Sequence, residues 1–402
     1  MRLYCAALFA ASALAGNAQL LSLASRAQSD FERVALVAQP QLDDATACIQ
    51  SQAALLPVAL PPELAVVYYR KGYCTLVGAL VGHEPAGFPP AAAAFDKAIA
   101  ASAPPVSSGL LVMASIARLE GSLDQATLDR AQGTLARAIA QSSCGNSAIM
   151  DDAVCHGDLS LAHLWIGWVD WRDGNLIGAA REFALAPPSA WADWIAGMRL
   201  FDNRHFDRAA RRYQAAIDRW PSERSELFWP QPDIGLMLTD LGGAQLLAGD
   251  PAAAIATLDR AIKDDPQHAR TFYLRARAKE LTGQAEAAET DYSLASRTAF
   301  ASAHDLASGE AHFYRGILLY RRKDFPRAEA EFASALNFDI PQSLRADTDA
   351  WRHLAAVASG SCGASRQELA RSLGIVSPYF PRREAQAAIA ACTVTAWAVP
   401  AK

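Results

Sequence analysis

The residue types best suited to chemistry gather once along the chain, where Cys155, His156, Asp158 and His163 fall close together. Imidazole nitrogen, thiolate sulfur and carboxylate oxygen are the donors of a zinc-type site. The two histidines, however, lie seven residues apart, not the four that places two ligands on adjacent turns of one helix face. No metal or cofactor is expected there, and His163, like His312, is read as packing at the start of a helix. Nucleotide, hydrolase and metalloprotease signatures of the GxGxxG, P-loop, GxSxG, HExxH and paired CxxC kinds do not occur. Glu310, Asp324 and Glu331 read as ordinary helix-surface acids rather than as a general acid and base. No catalytic residue is assigned, and the chain is not expected to be an enzyme.

Cysteine supplies a different chemistry. Met1–Ala18 begins with Arg2, continues as a short apolar run and ends in small residues, the pattern of a secretory leader cut after Ala18 or Ala15. Removing Cys5 with that leader leaves Cys48, Cys74, Cys144, Cys155, Cys362 and Cys392, an even set suited to an oxidising compartment. Sequence neighbours are the favoured partners: Cys48 with Cys74, Cys144 with Cys155, and Cys362 with Cys392. Free buried thiols are the competing reading. The chain is thus expected to be exported, to the periplasm or outside the cell, with no later apolar run long enough to span a membrane. Its formal charge of −5, or −6 with 36 basic against 42 acidic groups once Arg2 is removed, carries no nucleic-acid footprint.

The elements that position these residues are legible as a repeat. Counting from Gly242, small or bulky residues recur at fixed offsets: Ala254 after 12 residues, Leu258 after 16, Ala261 after 19 and Pro266 after 24. Ala276, Ala288, Tyr292 and Ala295 fall in step, as do Gly316, Ala328, Phe332 and Ala335. Upstream, Gly197, Ala209, Tyr213, Ala216 and Pro221 match, then Gly167, Ala179, Phe183 and Ala186. Such spacing describes a helical hairpin in which Gly or Ala of the first helix lets the second approach, while an aromatic or Leu fills the seam. Each hairpin leaves one face open for the next to cover. Turn formers interrupt each unit at Arg172-Asp-Gly-Asn, Asn203-Arg-His, Ala248-Gly-Asp-Pro, Thr282-Gly-Gln and Arg322-Lys-Asp.

These five units resemble the tetratricopeptide repeat family. The resemblance implies an all-α fold, a right-handed superhelical solenoid of antiparallel helix hairpins over 160–342. It departs from the family where Arg275 and Arg315 replace a bulky residue, and where Phe228-Trp-Pro-Gln-Pro232 is inserted between the second and third units, a place for the superhelix to bend. A less regular helical region covers 30–143, with hairpins at Ala65–Val81 with Ala91–Ile99 and at Ser108–Glu120 with Asp124–Ser142. A disulfide loop follows at 144–159, and 343–402 forms a terminal cap with helices at Thr348–Ser359 and Arg382–Cys392.

First helices of such an array line its groove. Phasing against the small residues places there Leu164, Trp168 and Trp171, then Trp191, Trp194, Met198 and Phe201, then Leu246, then Arg270, Tyr273 and Arg277, and finally Phe313, Ile317 and Tyr320. Trp, Tyr and Arg contribute disproportionately to peptide binding. The competing reading makes the tryptophans core between imperfect hairpins. The Lys/Asn clamp by which relatives hold an acidic C-terminus is not supported, because those places carry Leu164, Trp168, Trp194 and Met198. The function expected is a scaffold or adaptor for a protein or peptide in envelope assembly. Rival readings are a carbohydrate- or lipid-binding module, a helical-toroid polysaccharide-cleaving enzyme, and self-association.

Overall fold

The computed structural model describes residues 18–37, 39–141, 152–223, 226–297, 306–374, 376–377 and 380–395. It is all-α, 79% helical. The leader and the Cys144–Cys155 pair lie outside what is described. Contacts divide the chain into two compact units: residues 1–196 with 218–232, and residues 197–217 with 233–402.

In the first unit the helices are α1 (Ala18–Ala35), α2 (Leu42–Leu55), α3 (Pro61–Gly82), α4 (Phe88–Ala101), α5 (Ser108–Gly121), α6 (Gln125–Gln141), α7 (Asp152–Arg172) and α8 (Leu176–Leu185). α9 (Ala190–Asp202) and α10 (Phe206–Glu223) are divided between the units. The second unit continues with α11 (Ile234–Leu247), α12 (Pro251–Asp264), α13 (Ala269–Leu281), α14 (Ala285–Ala295), α15 (Leu306–Arg321), α16 (Phe325–Ala335), α17 (Gln342–Ala358), α18 (Ala364–Ser372) and α19 (Arg382–Thr395). α7 begins within the stretch expected to be a loop, so 152–159 is helical. α10 runs through Pro221, which the repeat spacing places as an exit signal. The Gly/Pro-rich stretch after α3 is a single 3-10 turn at Pro85–Gly87, and Pro89 and Pro90 enter the first turn of α4, where a missing N–H costs nothing.

The repeat spacing is realised as contact. A Cβ added to Gly167 would lie 3.0 Å from the Phe183 ring, to Gly242 2.5 Å from Leu258, and to Gly316 2.7 Å from Phe332. Gly197 meets Tyr213 in the same way at 2.6 Å, and in the irregular region Gly72 meets Phe95 at 3.0 Å. The Ala residues at offsets 12 and 19 are fully buried: Ala254 and Ala288, Ala295 and Ala335. Turns follow a rule as well. Gly174, Arg204, Gly249, Gly283 and Lys323 occupy the same turn position with positive φ. Asn175, Asp250 and Asp324 then accept a backbone N–H in the first turn of the next helix.

Polar staples repeat too. His163 Nδ1 lies 2.8 Å from Glu182, and His312 Nδ1 lies 2.8 Å from Glu331 at the same separation of 19 residues. Both histidines stand four residues before the seam glycine, so each ties a first helix to its own second helix.

Within each unit the first helices of neighbouring hairpins also touch: α3 with α5 and α5 with α7, then α11 with α13, α13 with α15 and α15 with α17. Among the described residues the second helices make no comparable mutual contact. Within each unit these first helices therefore form one layer. Disulfides Cys48–Cys74, joining α2 to α3, and Cys362–Cys392, joining the turn after α17 to α19, match the expected pairing.

Candidate functional site on the first-helix layer

The second unit gathers a charged and aromatic ladder on α11, α13 and α15. Arg270, Tyr273 and Arg277 recur at helical spacing along one face of α13. Arg270 donates to Asp240 of α11 at 2.7 Å. The Tyr273 ring lies 5.9 Å from that of Tyr314 on α15, and its hydroxyl hydrogen-bonds to the Glu310 carboxylate. The Arg277 guanidinium sits 3.9 Å above the Tyr314 ring, a cation–π geometry, and 3.2 Å from Glu280. Glu280 is the hub: it also accepts from Tyr292 at 2.9 Å and from Arg321 at 2.8 Å.

Burial sets the electrostatics. It pushes the Glu310 carboxyl up and the Tyr273 phenol well above its ordinary value. The arrangement pairs partly exposed guanidinium groups with carboxylates that are largely buried. It can exchange partners with a peptide's own charges and backbone.

Phe313 does not join the ladder. It is buried and packs 6.0 Å from Phe332, within its own hairpin. Neighbouring first helices meet flank to flank, so α15 offers Glu310 and Tyr314 to α13 and turns Phe313 away. Tyr320 is likewise buried: its ring lies 5.2 Å from Trp351, and its hydroxyl donates to Glu384 of α19 at 3.0 Å. Ile317 and Leu246 are buried as well. Asp240, Glu280, Tyr314 and Arg321 escape a reading based on spacing from the small residues. The signal for Tyr314 was its place four residues after Glu310.

In the first unit the expected aromatic surface is mostly core. Leu164 is fully buried, and Trp191 and Trp194 are 2% and 1% exposed. Trp171, Trp191 and Trp194 form a triangle with ring centroids 4.9, 5.5 and 5.1 Å apart, and Phe183 stacks on Trp191. These rings fill space left by small neighbours, which places Leu164, Trp191 and Trp194 among packing residues and not on an open surface. Trp168 and Trp171 stay half-buried, Trp168 beneath the Arg172 guanidinium at 5.5 Å. Met198 and Phe201 are half-buried in the second unit, with Phe201 5.3 Å from Phe206.

Sequence spacing also gives no hint of the groups over Trp165 and Trp191. The Trp165 indole donates to the carbonyl of Phe228 at 2.8 Å, and the Trp191 indole to that of Pro230 at 2.6 Å. The inserted segment thus lies on the first helices α7 and α9. Glu223, just before it, accepts the Ala190 N–H at the start of α9 at 2.8 Å, where a carboxylate complements the helix terminus.

Among the described residues no group of three or more His, Cys, Asp and Glu could hold a metal, and no helix is long and apolar enough to cross a membrane.

The chain's sequence matches the family model for the tetratricopeptide repeat three times, at residues 196–268, 239–304 and 293–343. Solved structures similar to it include a tetratricopeptide repeat protein from Parabacteroides merdae, 12% identical with a TM-score of 0.41, over 70% of this chain and 94% of that one. The MamA protein is 15% identical with a TM-score of 0.34, over 53% and 97% of the two chains. The Cut9–Hcn1 assembly of the APC/C is 12% identical with a TM-score of 0.43, over 94% and 96%. Comparison with curated proteins returns no match. Residues 196–343, with their glycine seams and matched turns, are tetratricopeptide repeats.

Proposed function

We propose that the protein is an exported, non-catalytic scaffold or adaptor that binds a protein or peptide segment on its first-helix layer, in assembly of the cell envelope. The observation that carries the binding reading is the ladder of Arg270, Tyr273, Arg277, Glu280, Glu310 and Tyr314. Two neighbouring first helices, α13 and α15, bring together partly buried guanidinium, phenol and carboxylate groups, and Arg and Tyr are among the side chains that anchor peptide interfaces. Tetratricopeptide repeats are generally non-catalytic scaffolds that bind protein partners. Two disulfides suit an oxidising compartment, and the apolar start of the chain suits export. Stacking platforms for a sugar are reduced by the burial of Trp191 and Trp194.

The test is affinity capture from envelope extract, comparing the chain with an Arg270→Ala, Arg277→Ala variant of unchanged helicity and unfolding temperature. Retention of a partner should fall at least about tenfold in the variant, the loss typical of two interface arginines. Equal retention by both proteins would move the binding site off this ladder.

A further inference from the structure

After α10 ends at Glu223, residues Glu226–Pro232 form no helix, and their own backbone makes one turn, with the Trp229 N–H donating to the Glu226 carbonyl at 3.1 Å. The segment is held to the helices by the pair of indole bonds to the Phe228 and Pro230 carbonyls, by the Phe228 ring 5.5 Å from Tyr73 on α3, and by packing of Leu227 and Phe228 against the core of the first unit. Its contacts therefore run along first helices of the first unit, α3, α7 and α9.

The chemistry of the two sides is complementary in a particular way. An indole N–H can donate and cannot accept. A wall that offers Trp165 and Trp191 therefore needs acceptors. Phe228 supplies one carbonyl and Pro230 the other, and Pro230 does so without bringing an N–H of its own to be satisfied. Pro230 and Pro232 are the buried residues of the segment. Aromatic-lined grooves that read proline-rich segments work on this principle.

Apart from its prolines the segment is only partly buried. Glu226 and Gln231 are exposed, and Leu227, Phe228 and Trp229 are half-buried, whereas the hairpin seam residues Phe332 and Leu258 are fully buried.

We propose that the face formed by Tyr73, Trp165 and Trp191 is a recognition site for a proline-containing peptide segment bearing an aromatic residue, and that residues 226–232 occupy it as a tethered ligand, which a partner segment of the same kind displaces. This rests on the reading of the chain as a peptide-binding scaffold. Tethering sets the threshold: a ligand held by a short linker competes at an effective concentration on the order of millimolar. A free segment of equal intrinsic affinity is therefore held off until it is abundant or itself tethered nearby.

The experiment titrates the synthetic peptide Glu-Leu-Phe-Trp-Pro-Gln-Pro into two full-length chains, the native one and one with residues 226–232 replaced by a Gly/Ser segment of equal length. Saturable binding to the replaced chain, at least about tenfold tighter than to the native chain, is the expected result. Trp191→Phe in the replaced chain, which keeps a ring and loses the N–H, should weaken it at least about fivefold. Should the replaced chain fail to fold, Phe228→Ala with Pro230→Ala loosens the segment in place and should admit the same peptide.

No saturable binding to a folded chain of either kind overturns the proposal. So does binding that Trp191→Phe leaves unchanged. Peptide silence with partner capture intact removes the tethered ligand and leaves the scaffold reading standing. Peptide binding with no captured partner supports this site and removes the Arg270–Arg277 ladder as the docking surface.

Discussion

Asp158 shows how one side chain can be misjudged from its neighbours in sequence. Beside Cys155 and His156 it invites a metal-site reading. In the fold its carboxyl is pressed against Gly109 at the start of α5, and burial pushes its pKa up to about 6. A carboxylate raised in this way is an electrostatic cost when ionised. Its stabilising contribution is full below the unfolded value near pH 4 and is lost as pH rises through about 6. Asp158→Asn should therefore stabilise the chain by roughly 2–3 kcal/mol at about pH 8 and change little at about pH 4. Denaturant unfolding at the two values checks this, and a variant equally shifted at both would show that the carboxyl is not desolvated. The tryptophans teach a related lesson. Their spacing located first helices correctly, but a period of 3.6 cannot tell an inner face from a seam when the neighbours are small. Phe313 and Tyr314 differ by one position, yet Phe313 is buried in its own hairpin while Tyr314 meets Tyr273 and Arg277 of α13.

Hairpins were the most legible element. The offset of 16 residues between the seam glycine and its ring is a property of two helices and a short turn, so a single chain reveals it without any partner. The irregular pair Gly72 and Phe95 obeys the same contact at a longer separation, because the 3-10 turn and its prolines intervene. What sequence could not reveal is which groups meet between hairpins, since those contacts depend on the rotation of one unit against the next. Gly316→Ala and Gly133→Ala separate the two roles of helical glycine. The first places a methyl 2.7 Å from the Phe332 ring and should destabilise by about 1–2 kcal/mol, even after the gain in helix propensity. The second meets nothing within 4 Å and should stabilise by up to about 1 kcal/mol. Equal shifts in the two thermal unfolding curves would mean that the seam has slack.

Across the whole molecule, the tandem order of hairpins explains how a chain of 402 residues folds without one large core. The two described disulfides close loops with sequence separations of 26 and 30 residues. Chain entropy assigns each about 3–4 kcal/mol. Reduction, or Cys362→Ser with Cys392→Ser, should lower the unfolding temperature and speed amide exchange in α17 and α19, while α11 to α13 exchange as before. Unchanged exchange in α17 and α19 would show that the cap is held by packing alone, around Trp351, Leu354 and Phe380.

Cys48–Cys74 ties α2 to α3 in the first unit, one helix in from its start, and Cys362–Cys392 ties α19 to the turn after α17 in the second. A linear stack ordinarily unzips from its tips, where each unit has a single neighbour. Each bond makes the two elements it joins leave their stack together rather than singly.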